Sequence, residues 1–186
     1  MSGTKSCTIQ TYTGKPFSFD EPEWSIIDPV DIAHALSNIC RFTGNCTKFY
    51  SVAEHSVRVS EMLPDHLALQ GLLHDALEAY TGDISTPMKN ALDVITNGGF
   101  RIWETLLECD IRTKLGLPTQ FDPLVKQADL KDYGAALRDI MTLPQFEHDY
   151  TPPVTTRIIE GWTPAHAKDC FIYRWIELDP KVKVCF

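Results

Sequence analysis

The sequence predicts an all-α fold, a compact bundle of six or seven helices forming one domain over residues 1–186. Three observations predict it. Helix starts recur along the chain, marked by a capping side chain or by a proline at the first helical position. Apolar residues return at three- and four-residue spacing behind these starts. Alternating strand patterns are scarce, and residues 151–159 are too broken by Pro and Thr to read as a strand. A chain of 186 residues is a natural single domain and buries roughly 70% of its unfolded surface.

Residues 1–27 read as an irregular segment, with turn signals at Thr13-Gly14-Lys15-Pro16 and Asp20-Glu21-Pro22. Asp28 followed by Pro29 caps a helix expected to run to about Phe42. Ser51 with Glu54 forms a capping-box pattern opening a helix to about Met62. Beyond Pro64 a single amphipathic segment is expected from about Asp65 to Tyr80, ended by Gly82. Thr86-Pro87 offers a short start near Met88 to Leu92. A longer helix is expected from about Gly99 to Leu115, with apolar residues at helical spacing: Ile102, Leu106, Cys109 and Leu115. Asp122-Pro123 starts the next, with Leu124, Ala128, Leu130, Ala135 and Leu137 among its core candidates. Thr163-Pro164 starts the last, which carries Phe171, Ile172, Trp175 and Ile176; its aromatic positions read as core or subunit contact rather than a cofactor box.

The balance of charge narrows the partners. The formal net charge is −8 and the 17 Lys and Arg residues are dispersed, which disfavours a nucleic-acid surface, since that needs clustered cations. No stretch approaches the length of a membrane span and the N-terminus lacks an apolar signal core, so a cytoplasmic protein is expected. The six cysteines Cys7, Cys40, Cys46, Cys109, Cys170 and Cys185 form no Cys-x-x-Cys pair. They read as small buried hydrophobes or free thiols.

Four positions carry candidate chemistry: His55 in Ala53-Glu54-His55-Ser56, the pair His74-Asp75, and Asp129 in Val125-Lys126-Gln127-Ala128-Asp129. Imidazole nitrogens and carboxylate oxygens suit zinc, manganese, cobalt or iron. On a helix, neighbours such as His74 and Asp75 point about 100° apart, so both can meet one ion only if it lies between their directions. Taken singly, each has a plain explanation as an ordinary helical residue. His34 could add a ligand but reads as a core histidine, and His66, His148 and His166 read as surface or capping residues.

The run from Gly71 to Lys89, GLLHDALEAYTGDISTPMK, gives these positions more weight. Together with Arg41-Phe42, the His55 segment and Val125–Asp129, it resembles the HD-domain phosphohydrolases. The resemblance is to the YfbR-like 5'-deoxynucleotidase group and related phage deoxynucleotide triphosphohydrolases, and it covers about residues 28–140. It implies one divalent ion (Zn, Mn, Co, Fe or Mg) held by His55, His74, Asp75 and Asp129. It also implies a nucleotide substrate and, as is common in that family, a homo-oligomer.

The resemblance suggests further roles. Glu78, four residues after His74, would orient or deprotonate the attacking water as general base. Arg41 would clamp phosphate oxygens through its forked guanidinium. Asp83 would bind the sugar or assist proton transfer, and Pro87, Lys89 and Lys126 would lie against the substrate. Phe42 stands where the 5'-deoxynucleotidase group has Trp, and Gly44 would leave room for a bulkier purine. No His occurs between His74 and His148, which argues against two-metal HD chemistries. Alarmone hydrolases follow HD with Glu-Asp, whereas this chain has Glu78-Ala79.

The leading expectation is release of phosphate from deoxynucleoside 5'-monophosphates. Its rivals are cleavage of deoxynucleoside triphosphates to nucleoside and triphosphate, and a catalytically silent nucleotide sensor.

Overall fold

The computed structural model describes residues 7–142 and 155–184. Among these the chain forms eight α-helices and one small antiparallel sheet. His148 and Cys185, and residues 151–154 of the broken stretch, lie outside the described residues.

The N-terminal segment departs from the irregular expectation. β1 (Thr8–Gln10) pairs with β2 (Pro16–Ser18), with Ile9 opposite Phe17. The connecting turn places Gly14 at φ 84°, a conformation that costs other residues energy. Phe17 is what the turn signals did not reveal. Its ring is fully buried, stacked on Tyr80 and edge-on to Trp24, and this anchors the hairpin to the bundle.

α1 (Pro29–Asn38) is capped by the Asp28 side chain, which accepts from the Val30 amide. It stops four residues short of the expected Phe42 because Ile39 and Cys40 turn extended and Cys40 pairs with Ser51. Arg41–Gly44 then form a separate tight turn. α2 (Val52–Glu61) begins where Ser51 accepts from the Glu54 amide. Only this half of the capping box forms, since the Glu54 carboxylate accepts instead from the Trp162 amide at 2.7 Å. Nine of the ten α2 residues are buried.

α3 (Asp65–Leu72) and α4 (Glu78–Thr81) replace the single helix expected over 65–80. Between them the backbone tightens into turns closed three residues apart: Ala76 N–H to Leu73 O, Glu78 to Asp75, and Ala79 to Ala76. α5 (Thr86–Ile95) and α6 (Gly99–Lys114) form a hairpin. α7 (Pro123–Asp139) is capped by Asp122, and α8 (Pro164–Leu178) by Thr163, both at the expected positions. No helix of the described residues is long and apolar enough to cross a membrane.

α2 is the central strut, packed against α1, α3, α7 and α8. The main core gathers Ile32, Leu36, Val57, Leu72, Phe171 and Trp175 around it. A smaller cluster of Val59, Leu63, Leu67, Val125 and Ala128 joins α2, α3 and α7. The apolar residues of α6 divide between the core and the surface, and Leu115 packs against the main core. Leu107 and Ile111 face inward, while Ile102 and Leu106 are 64% and 61% exposed. The two stripes lie one residue apart, and periodicity alone does not choose between them. Leu124, a core candidate, is exposed, as is Ile176, whereas Ala128, Ala135, Phe171, Ile172 and Trp175 are buried. Of the described cysteines Cys7 is exposed and Cys40, Cys46, Cys109 and Cys170 are half-buried, so none is the core hydrophobe expected of some.

Gly71 sets how closely α3 approaches α2. A Cβ there would lie 2.4 Å from Leu63 Cδ1 and 3.2 Å from Ser60 Cα. The leucine can swing aside, but the helix backbone cannot. Gly71→Ala is therefore expected to destabilise the fold by about 1–3 kcal/mol, the usual range for overpacking, as read from the urea midpoint at unchanged slope.

Candidate metal centre

Three stretches of chain converge at one end of the central strut. His55 comes from the first turns of α2, fully buried. His74 and Asp75 come from the tightened turn after α3, and Asp129 from the middle of α7. The expectation that the His-Asp pair sits on a regular helix is corrected here. Winding closer to three residues per turn re-aims the side chains of adjacent residues, and such stretches recur at functional sites. Here both side chains reach the same point.

His55 Nε2 lies 3.2 Å from His74 Nε2 and 3.3 Å from Asp129 Oδ1. Asp75 Oδ2 lies 3.2 Å from His74 Nε2 and 3.6 Å from His55 Nε2. The opposite ring nitrogens are committed elsewhere. His74 Nδ1 is 2.8 Å from the Gly71 carbonyl, which can only accept, so this nitrogen carries the proton. His55 Nδ1 is 2.8 Å from Asp132 Oδ2 and donates to that carboxylate. Both Nε2 atoms therefore present lone pairs to the same space as the carboxylate oxygens.

His55, His74 and Asp129 form a group able to hold a metal ion. A tetrahedral ion with ligands at about 2.0–2.2 Å implies ligand–ligand edges of roughly 3.3–3.6 Å; the four separations above, 3.2–3.6 Å, lie close to those edges, while Asp75 stands outside the three-residue group. Without a cation the charges fall back on protons. Burial works against a charged His74, but Asp75 and then Asp129 override it and raise its pKa. Burial likewise opposes ionised Asp75 and Asp129, yet the histidines hold both far below the usual carboxylate range.

Asp132 was not singled out in the sequence. It is wholly buried, one helical turn beyond Asp129, and accepts from Tyr50 Oη, from His55 and from Arg58 Nε at 2.7 Å. Burial raises its pKa, and the interactions with His55 and Arg58 more than offset this and lower it to about 2. The three-residue step from Asp129 to Asp132 on one helix face was the available signal. Such carboxylate–histidine pairs fix the tautomer and the ring orientation of a ligand.

Asp129 of the cluster also lines a cavity of about 320 Å³ whose other walls include Arg41, Phe42, Asp83, Pro87 and Lys126 of the expected residues, joined by Ser85, Thr86, Leu130 and Tyr133, which were not foreseen. Arg41 Nη1 lies 3.4 Å from Asp75 Oδ2, while its Nε is buried with no partner. The Phe42 ring sits 5.5 Å from the Arg41 guanidinium and 6.0 Å from the Tyr133 ring. Phe42 and Thr43 hold φ of 57° and 56°, a left-handed conformation in successive non-glycine residues that costs energy. Lys126 pairs with the other oxygen of Asp129 at 2.6 Å.

Other expected residues stand apart from this cavity. Lys89 is not in its wall; it is ion-paired with Glu104 at 2.6 Å. Gly44 also lies outside the wall, in open space, and its φ of 77° gives glycine a backbone reason. His34 stacks on Tyr12 in a separate cavity. His66 and His166 are exposed. A further cavity of about 240 Å³, lined in part by His74, Asp75, Arg112 and Lys126, reaches the cluster from another side.

Glu78 is half-buried beside the cluster, with its Oε2 buried and unpartnered. Burial, then the charges of Asp75 and Asp83, push its pKa well above the ordinary glutamate value despite Arg41 and Lys89.

No protein-family model matches this chain. It is 41% identical over 132 residues to the uncharacterized protein YfdR of Escherichia coli, covering 71% of each chain. The chain belongs to the YfdR family. An uncharacterized protein of Rhodobacter capsulatus is 32% identical to it over 125 residues, covering 62% of each.

Two outcomes follow from the geometry. Asp132→Asn keeps every residue of the cluster but removes the charge behind His55, so divalent-ion affinity should fall about 10–100-fold by competition with a chelating dye. Glu78 has a raised folded pKa, so its contribution to stability is present below the unfolded value and lost as pH rises through the folded one. Glu78→Gln should therefore raise the Tm of the metal-free protein at pH 7 and leave it nearly unchanged near pH 4.

Proposed function

We propose that this protein is a metal-dependent phosphohydrolase of the HD-domain type, releasing phosphate from deoxynucleoside 5'-monophosphates. The observation that carries the reading is the joining of two features. Asp129 belongs both to a cluster of two imidazoles and two carboxylates and to the wall of a cavity lined by a guanidinium, an ammonium and two aromatic rings. His55, His74, Asp75 and Asp129 would hold the ion. Once bound, a divalent ion supplies Lewis acidity toward a phosphoryl oxygen and acidifies water.

The chain's own groups divide the remaining work. Arg41 binds phosphate oxygens, and its unpartnered Nε is a donor already stripped of water. Glu78, carrying a raised pKa and a free carboxylate oxygen, takes the proton of the attacking water. Phe42 and Tyr133 face the base or sugar, and Asp83 accepts from a sugar hydroxyl. Lys126 adds positive charge at the rim of the cavity. A volume of about 320 Å³ lies at the small end of ligand sites, roughly 300–1,000 Å³, which favours a monophosphate.

One observation favours a second reading. The cavity beside Arg112 and Lys126 gives a longer phosphate chain somewhere to lie, as cleavage of a deoxynucleoside triphosphate to nucleoside and triphosphate requires. Arg112, however, is already paired with Glu108 at 2.8 Å.

Metal-stripped protein reloaded with Co²⁺, Mn²⁺, Zn²⁺ or Mg²⁺ should convert deoxynucleoside monophosphates to nucleoside and orthophosphate, separated by chromatography. Asp75→Ala should abolish turnover, and Arg41→Ala should lower kcat/KM by about 10²-fold or more. Triphosphate as product would transfer the assignment to the second reading. Nucleotide binding without turnover under any metal would leave a sensor.

A further inference from the structure

The turn that presents Arg41 and Phe42 to the cavity is bracketed by two thiols. Cys40 Sγ and Cys46 Sγ lie 3.6 Å apart, and Cys46 Sγ also points at the Arg41 carbonyl at 3.9 Å. The stems that carry the thiols are fixed independently. On one side Cys40 pairs with Ser51, backed by Arg41 N–H to Tyr50 O at 2.8 Å and Val52 N–H to Ile39 O at 3.0 Å. On the other, Thr47 is tied by its amide and its hydroxyl to the Ile140 carbonyl. The sulfurs therefore meet because the fold holds them together. Between the stems, Thr43, Gly44 and Asn45 are exposed.

We propose that Cys40 and Cys46 form a reversible disulfide that closes a ring around Arg41 and Phe42, making this turn a redox-modifiable wall of the cavity. The oxidant is a peroxide or a low-molecular-weight disulfide. With peroxide, the Cys40 thiolate attacks one oxygen, the O–O bond breaks and a sulfenic acid forms as hydroxide leaves and takes a proton. The Cys46 sulfur then displaces the hydroxyl, the S–S bond forms and water leaves. The two sulfurs together give up two electrons, and the peroxide accepts them. Burial and the neighbouring Cys40 thiol push the Cys46 thiol up to about 11, which disfavours Cys46 as the thiolate that attacks the peroxide and leaves it the second partner.

The bond requires the sulfurs to close from 3.6 Å to about 2.05 Å. The stems are pinned, so the turn between them takes up most of that movement. Phe42 lies within it, whereas His55, His74 and Asp129 lie on other elements. Oxidation should therefore disturb what Phe42 touches and spare the metal cluster.

The test uses the full-length protein, oxidised with stoichiometric hydrogen peroxide or oxidised glutathione and then reduced with dithiothreitol. Trypsin cuts after Arg41 and after Lys48, so the disulfide should join the peptide ending at Arg41 to Phe42–Lys48. The protein should lose one pair of hydrogens and two alkylatable thiols, all restored by reductant. The peptide ending at Arg41 also carries Cys7, so Cys40→Ser and Cys46→Ser should each abolish the link and Cys7→Ser should leave it. Separate adducts on the two cysteines, or oxidation elsewhere while both stay alkylatable, would overturn the proposal. This readout does not depend on the nucleotide reading.

The coupling to the site rests on that reading. Oxidised protein should show a KM raised about threefold or more at unchanged kcat and metal content. A disulfide that forms without moving KM would overturn the coupling.

Discussion

A single buried carboxylate holds this end of the bundle together. Asp132 is wholly buried in α7, yet it receives Tyr50 from the stretch before α2, and His55 and Arg58 from α2 itself. Removing any one donor would leave the others facing a charge in a low-dielectric interior, where an unpaired group is costly. The carboxylate therefore fixes the register of α7 on α2. That register places Asp129, one turn earlier, at His55 Nε2. Arg58 extends the same network to the carbonyls of Arg157 and Ile158, tying in the segment that leads to α8. The site inherits its geometry from this contact as much as from its own residues.

Much of the architecture was legible because helix starts are local events. Asp28, Ser51, Asp122 and Thr163 each satisfy an orphan amide within a few residues of themselves, so the signal and its effect lie together in the sequence. Features that depend on distant partners were not legible. The choice of Leu107 and Ile111 over Ile102 and Leu106 as the inner face of α6 depends on what the helix lies against. The break after Leu72 is tertiary too, since nothing between Leu73 and Leu77 disfavours a helix. Phe17 anchors a hairpin that its local turn residues could not announce.

The candidate site divides along the same line. The positions of His55, His74, Asp75 and Asp129 were read from motif, and their side chains converge. Asp132, Tyr50 and Arg58 were missed because a buried network of hydrogen bonds leaves no pattern in a single sequence beyond an i, i+3 spacing. Lys89 shows the opposite failure. A lysine near the motif was expected against substrate, but Glu104, fifteen residues on, neutralises it.

The cluster is assembled from residues 55, 74, 75 and 129, spread over three stretches of chain that share no local contact. An unfolded chain cannot offer this set to a cation in a single geometry. Any ion that binds the native cluster and not the open chain adds to the stability of the fold by mass action, about 2.7 kcal/mol when its free concentration is a hundred times its dissociation constant. The supply of metal in the surroundings and the fraction of molecules that stay folded then become a single variable, and scarcity of the ion would be felt first as a shorter lifetime of the protein.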